Sequence, residues 1–178
     1  KEIYETKKPD EKFILSNGHA GIALYAVIEE YDRASNGTGR ASRQAEQIFL
    51  HHGINPDRCA DCSLDCSTGS LGQGLPISLG IALATPDRDV YCLISDGEAA
   101  EGSIWEALRI KTELKADNLK VYVNINGHTA YRDIAPFELA RRLEAFDPRI
   151  QIKFTDNPNL SWLSGVAGHY AIMDEARY

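Results

Sequence analysis

Between Val90 and Asn126 the chain reads VYCLISDGEAAEGSIWEALRIKTELKADNLKVYVNIN, and no other stretch restricts the fold as strongly. An apolar run, Val90 to Ile94, stops at Ser95-Asp96-Gly97. A helical pattern follows, with Ile104, Ala107, Leu108, Ile110 and Leu114 on one side. A second β-rich run, Val121 to Ile125, stops at Asn126-Gly127. Strand, helix and strand in this order predict a βαβ unit with a parallel pair. Both strands then point the same way, which sets Asp96 and Asn126 at carboxyl ends, where open α/β sheets bind ligands. A carboxylate and an amide oxygen together form a hard-oxygen site for Mg²⁺ or Ca²⁺, completed by water and ligand phosphate. Gly97, with no Cβ, lets the backbone approach a phosphate.

The rest of the chain supplies the other elements. Lys1 to Glu11 reads as a polar lead-in, and Lys12 to Leu15 as a short extended segment. Ser16 is a good N-cap for a helix over Asn17 to Tyr31. Arg33 to Arg43 is a loop, Gln44 to Leu50 a short helix, and His51 to Thr68 irregular. Gly69, Gly72 and Gly74 feed a helix over Leu75 to Ala84; their spacing is not that of a dinucleotide fingerprint. They still bring a bare backbone to a helix start, suited to a phosphate or a flat ring. Pro136 to Phe146 is helical and Gln151 to Phe154 a last strand. The expected fold is α/β, a mostly parallel sheet with helices on both faces. A chain of 178 residues suits a single domain over 1–178.

Composition removes several function classes. The net charge is -7 and the pI about 5.2, with no basic stripe for nucleic acid. The longest apolar run, Leu75 to Ala84, is too short to span a membrane. Nothing resembles a secretion signal, so a cytoplasmic protein with reduced thiols is expected. Cys59, Cys62 and Cys66 have a C-x2-C-x3-C spacing that could hold zinc with His51 or His52. The second C-x2-C pair of a zinc ribbon is missing, and the expectation is that the trio holds no metal. Cys92 lies in an apolar run and reads as core.

Three blocks carry a resemblance. SDGEAAEGSIWEA followed by NLKVYVNIN resembles the thiamine diphosphate motif, a GDG followed downstream by N. FILSNGHAGIALYAV (Phe13 to Val27) and STGSLGQGLPISLGIALA (Ser67 to Ala84) narrow the likeness to transketolase, in transketolase order. The resemblance implies thiamine diphosphate held with Mg²⁺ or Ca²⁺. It implies Asp96, Asn126 and the main-chain carbonyl of His128 as metal ligands. Gly69, Leu71, Gly72 and Gly74 would pack around the cofactor, with Leu71 on its aminopyrimidine side. Gly97, Glu98 and Asn126 would complete the cofactor contacts. Glu101 would lie in a carboxylate network at an interface between subunits. His19 and His169 would face substrate and cofactor phosphate in the channel. Trp105 is assigned to packing.

By the same resemblance, the reaction is transfer of a two-carbon ketol unit between sugar phosphates. The glutamate that activates the aminopyrimidine belongs to a pyrimidine-binding domain that is not in this sequence. Nor is the S-G-H-x-G block that transketolases carry upstream of FILSNGHA. The expectation is therefore the diphosphate-binding subunit of a split transketolase, joined to a pyrimidine-domain partner in a heterotetramer. Deoxyxylulose phosphate synthase-like, 2-oxo acid dehydrogenase-like and non-catalytic cofactor-binding subunits are the alternatives. The family's usual histidine before the glycine loop is replaced by Asn55, which cannot act as an acid near neutral pH.

Overall fold

Hydrophobic side chains alternate along the strands and divide the interior in two. The computed structural model describes residues 1–35, 44–127, 129 and 134–155. In chain order the elements are α1 (Glu2–Thr6), β1 (Lys12–Leu15), a 3-10 turn (Gly18–Ala20), α2 (Gly21–Ser35) and α3 (Ala45–His52). Then come α4 (Gly74–Ala84), β2 (Val90–Ser95), a second 3-10 turn (Glu98–Ala100), α5 (Gly102–Glu113), β3 (Leu119–Ile125), α6 (Pro136–Phe146) and β4 (Gln151–Phe154). The four strands form one parallel sheet in the order β1-β2-β3-β4. Crossovers between parallel strands are right-handed and here all step the same way, which puts α4, α5 and α6 on one face.

That face holds the larger core. Val90, Cys92 and Ile94 of β2 with Val121, Val123 and Ile125 of β3 meet Leu75 and Leu79 of α4, Ile104 and Leu108 of α5, and Leu143 of α6. The opposite strand faces, with Phe13, Leu15 and Tyr91, pack on Ile3, Tyr4, Leu24, Tyr25, Ile28 and Ile48 from α1, α2 and α3. The fold is α/β with helices on both sides of a parallel sheet, as the periodicity predicts. Among the described residues no helix is long and apolar enough to cross a membrane.

Three local expectations need correction. The lead-in contains α1, because Ile3 and Tyr4 find apolar partners across the sheet. Ser16 does not cap a helix: a 3-10 turn comes first, α2 starts at Gly21, and the Ser16 hydroxyl is used elsewhere. Leu114 is not on the buried stripe of α5 but is 58% exposed, past the helix end. Lys111 occupies the buried stripe instead, with its ammonium ion-paired to Asp147. Burial alone would raise the Asp147 carboxyl. The hydrogen bonds from Lys111 and the Arg149 amide outweigh it, so the carboxyl lies below its ordinary range.

Removing one partner of a buried ion pair strands the other charge. Asp147→Ala is expected to lower unfolding free energy by about 3–5 kcal/mol, measured by urea denaturation at neutral pH. A loss below about 1 kcal/mol, the scale of an exposed pair, would contradict a buried ionic contact.

Candidate functional site

The carboxyl ends of β1, β2 and β3 meet at one edge of the sheet. Ser16 follows β1 and Asp96 follows β2, held by Ser16 N–H to Leu93 O (2.9 Å) and Asp96 N–H to Asn124 O (3.0 Å). Asp96 is buried, and its carboxylate faces the end of β3. Oδ2 accepts from the amides of Asn126 (2.9 Å) and Gly127 (2.7 Å), and Oδ1 from the amide of Gly97 (2.9 Å). The expected meeting of Asp96 and Asn126 is therefore present. A carboxylate offers about four lone-pair positions. The three bonds leave acceptor capacity for a hard cation, and the exposed Asn126 side chain stands at the adjacent strand end.

Gly97 marks open space. Among the described residues, a Cβ built there would meet only Ser95 Oγ, at 3.8 Å, so none of their contacts requires glycine at 97. A cleft of ≈ 920 Å³ opens beside it, lined by Asp96, Gly97, Glu101, Trp105, Thr129 and Arg142 among others. Trp105 also packs as expected, edge-on to Phe146 with its Nε1–H donating to Ala99 O at 2.9 Å.

The glycine loop lies against the other two blocks. A Cβ on Gly72, whose φ is +79°, would be 2.7 Å from Glu101 Cβ and 2.6 Å from Ser103 Oγ. A Cβ on Gly18 would be 2.7 Å from Gly69 N. These contacts set Gly18 of SNGHA against the backbone of Gly69 and set Gly72 against side chains of the segment just after SDGE. Leu71 is half-buried on this loop, and Gly74 begins α4 directly on Ser16. Asn55 sits beside Gly69, its Cγ 3.0 Å from where a Cβ would be.

Glu98 joins the three blocks. Its side chain is fully buried. Oε1 accepts from Ser16 Oγ (2.6 Å) and the Gly72 amide (2.9 Å), and Oε2 from the Ser95 amide (3.3 Å). Glu98, expected as a cofactor contact, has both oxygens engaged inside the chain. Its signal in the sequence was its place in SDGE; Ser16, its partner across the sheet, left none. Burial pushes the Glu98 carboxyl above its ordinary value, against the hydrogen bonds from Ser16, Gly72 and Ser95 and the nearby His19. His19 is exposed in the 3-10 turn after β1. Beside it, Asn17 Oδ1 is buried with no hydrogen-bond partner among the described residues. Glu101 is half-buried at the start of α5. His128 and His169 lie outside the described residues.

Residues 5–163 match the family model described as transketolase, thiamine diphosphate binding domain. Human transketolase is 34% identical over 157 residues, covering 80% of this chain and 24% of its own length. The chain thus spans about a quarter of the transketolases it matches. One of the subunits of the apulose-4-phosphate transketolase of Phocaeicola vulgatus is 32% identical over 126 residues, covering 68% of this chain and 43% of its own length. Among solved structures, the transketolase from Campylobacter jejuni superposes with a TM-score of 0.54 at 20% identity, covering 86% of this chain and 30% of the other. That likeness bears on the fold.

The raised Glu98 carboxyl makes a signed prediction. An acid whose pKa is raised by folding binds its proton more tightly when folded. Its stabilising contribution is complete below the ordinary value of 4.5 and is lost as pH rises through the raised value. Glu98→Gln keeps an acceptor for Ser16 and Gly72 but never ionises. Paired urea denaturations should show the wild type losing stability relative to the variant as pH climbs above 4.5. A difference independent of pH would contradict the assignment.

Proposed function

We propose that this chain, which belongs to the transketolase thiamine diphosphate-binding domain family, anchors the diphosphate of thiamine diphosphate and serves ketol transfer between sugar phosphates with a pyrimidine-binding partner chain. The observation that carries the reading is Asp96, buried where two parallel strands end, its carboxylate fixed by the amides of Asn126 and Gly127. Asp96 and the Asn126 side chain would hold Mg²⁺ or Ca²⁺ against the diphosphate, with the His128 carbonyl as third ligand by family resemblance. Gly97 would leave the turn backbone open to phosphate oxygens. Gly69, Leu71, Gly72 and Gly74 would form a wall beside the rings, and Glu101 would face the partner. When bound, the cofactor supplies the carbon nucleophile and electron sink for cleaving the bond next to a ketose carbonyl.

The chain's own residues bind and orient. His19, exposed in the turn after β1, would hydrogen-bond substrate or cofactor phosphate. His169 enters as a second channel histidine from the resemblance alone. Asn55, where the family usually has histidine, donates a hydrogen bond but gives no proton near neutral pH, so any proton movement there falls to another group. The Phocaeicola vulgatus relative, itself named as one subunit of its enzyme, supports a two-chain enzyme; an assembly of two chains of each kind is the matching stoichiometry. The chemistry and its thiols fit the cytoplasm.

The test is reconstitution. The purified chain alone should show no ketose-to-aldose transfer, and adding a chain that carries the pyrimidine-binding domain should restore it. A positioned acid–base group is worth roughly 10²–10⁴ in rate, so the gain should be at least ~100-fold. Full activity without the second chain would overturn the two-chain reading. No activity in the presence of bound cofactor and partner would favour a cofactor-binding subunit without catalysis.

A further inference from the structure

A cluster of metal-binding side chains lies outside the thiamine site. His52 ends α3, and Cys59 and Cys62 lie in the irregular stretch that runs from α3 to the glycine loop. Their ligand atoms all lie within 4.8 Å of one another, and His52 Nε2 is 3.4 Å from Cys62 Sγ. Around one tetrahedral zinc, with Zn–S of about 2.3 Å and Zn–N of about 2.0–2.1 Å, the N···S separation is about 3.6 Å and S···S about 3.8 Å. The three donors therefore need only small movements to share an ion.

The backbone holds them in this arrangement. Cys59 and Leu64 form an isolated antiparallel bridge, each amide donating to the other's carbonyl at 2.9 Å. Ser63 N–H donates to Ala60 O at 3.2 Å, and Ser63 adopts the left-handed region at φ 56°. The C-x2-C step is thus a closed turn, anchored underneath by buried Leu64. Neither cysteine is in a disulfide.

We propose that His52, Cys59 and Cys62 bind one Zn²⁺, with water in the fourth position, fastening the α3-to-glycine-loop connection to the end of α3. This revises the expectation from spacing alone that the cysteines hold no metal. The spacing pointed to Cys66 as a third sulfur, but its thiol donates to Ser67 O at 3.3 Å and lies outside the three-ligand group. The third ligand comes from the helix before it. The clip has a structural purpose. Residues 53–68 contain no helix or strand, yet they carry Asn55 to Gly69 and end at the loop that Glu98 holds. A zinc ion would fix the near end of that stretch as Glu98 fixes the far end.

The probe is Zn²⁺ itself, added to the full chain purified under reducing conditions. One equivalent should bind per chain, and its removal by a chelator should lower the melting temperature reversibly. Co²⁺ in its place should give a thiolate-to-metal charge-transfer band. Cys62→Ser and His52→Ala should each weaken Zn²⁺ affinity by at least ~100-fold, beyond the 10–100-fold attached to groups that only support ligands, while Cys66→Ser keeps it. Zn²⁺ that neither binds nor shifts the melting temperature of the wild type would overturn the proposal. So would undiminished binding by Cys62→Ser, or a Cys59–Cys62 disulfide that forms in the presence of glutathione and excess Zn²⁺.

Discussion

A single buried carboxylate, Glu98, determines how the ligand-facing edge of this molecule is put together. Through one side chain it receives a hydroxyl from the end of β1, an amide from the glycine loop and the amide of the last residue of β2. These groups belong to segments far apart in the chain. The glycine loop is held by this acceptor together with Ser103, whose Oγ donates to Gly72 O at 2.8 Å. Leaving such donors unpaired in the interior costs about 1–3 kcal/mol each, so the carboxylate organises the loop even though burial opposes its charge. Glu98 shapes the site and Asp96, two residues earlier, faces it. One turn thus carries both the internal brace and the outward acceptor.

The sheet makes this division possible. With all four strands parallel, every carboxyl end falls on one edge, and α4, α5 and α6 cover one face without obstructing it. The larger core makes β2 and β3 a rigid pair, so the Asp96-to-Asn126 distance is set by strand pairing rather than by loops. Asp96 Oδ2 bridges two successive amides of the neighbouring strand end. That is how a carboxylate becomes fixed before any ion arrives.

Much of this was readable from residue order, for reasons that can be stated. The run Val90 to Ile94 and the run Val121 to Ile125 are apolar, strand-length and bounded by Asp-Gly and Asn-Gly, so local chemistry alone placed Asp96 and Asn126 at strand ends. Pro136 gave the start of α6. What failed depended on distant partners. Ser16 resembles a helix cap until Glu98, 82 positions later, takes its hydroxyl. Lys111, which the apolar stripe of α5 did not include, is buried because Asp147 meets it across 36 positions. Ile3 and Tyr4 were too few to signal a helix and are buried only because the sheet face behind them is apolar. Of the groups that the cysteine spacing offered, three cysteines with His51 or His52, the structure brings His52, Cys59 and Cys62 together.

The central claim is that Asp96 holds a divalent cation against a diphosphate, and calorimetric titration of thiamine diphosphate tests it most directly. The titration is run on the wild-type chain with Mg²⁺, on the same chain in excess chelator, and on Asp96→Asn with Mg²⁺. The asparagine keeps an oxygen for the Asn126 and Gly127 amides but loses the charge and the acceptor for the Gly97 amide. Binding should be measurable with Mg²⁺ and weaker by at least ~100-fold, beyond the effect of supporting groups alone, in the other two cases. Equal affinity under all three conditions would contradict it.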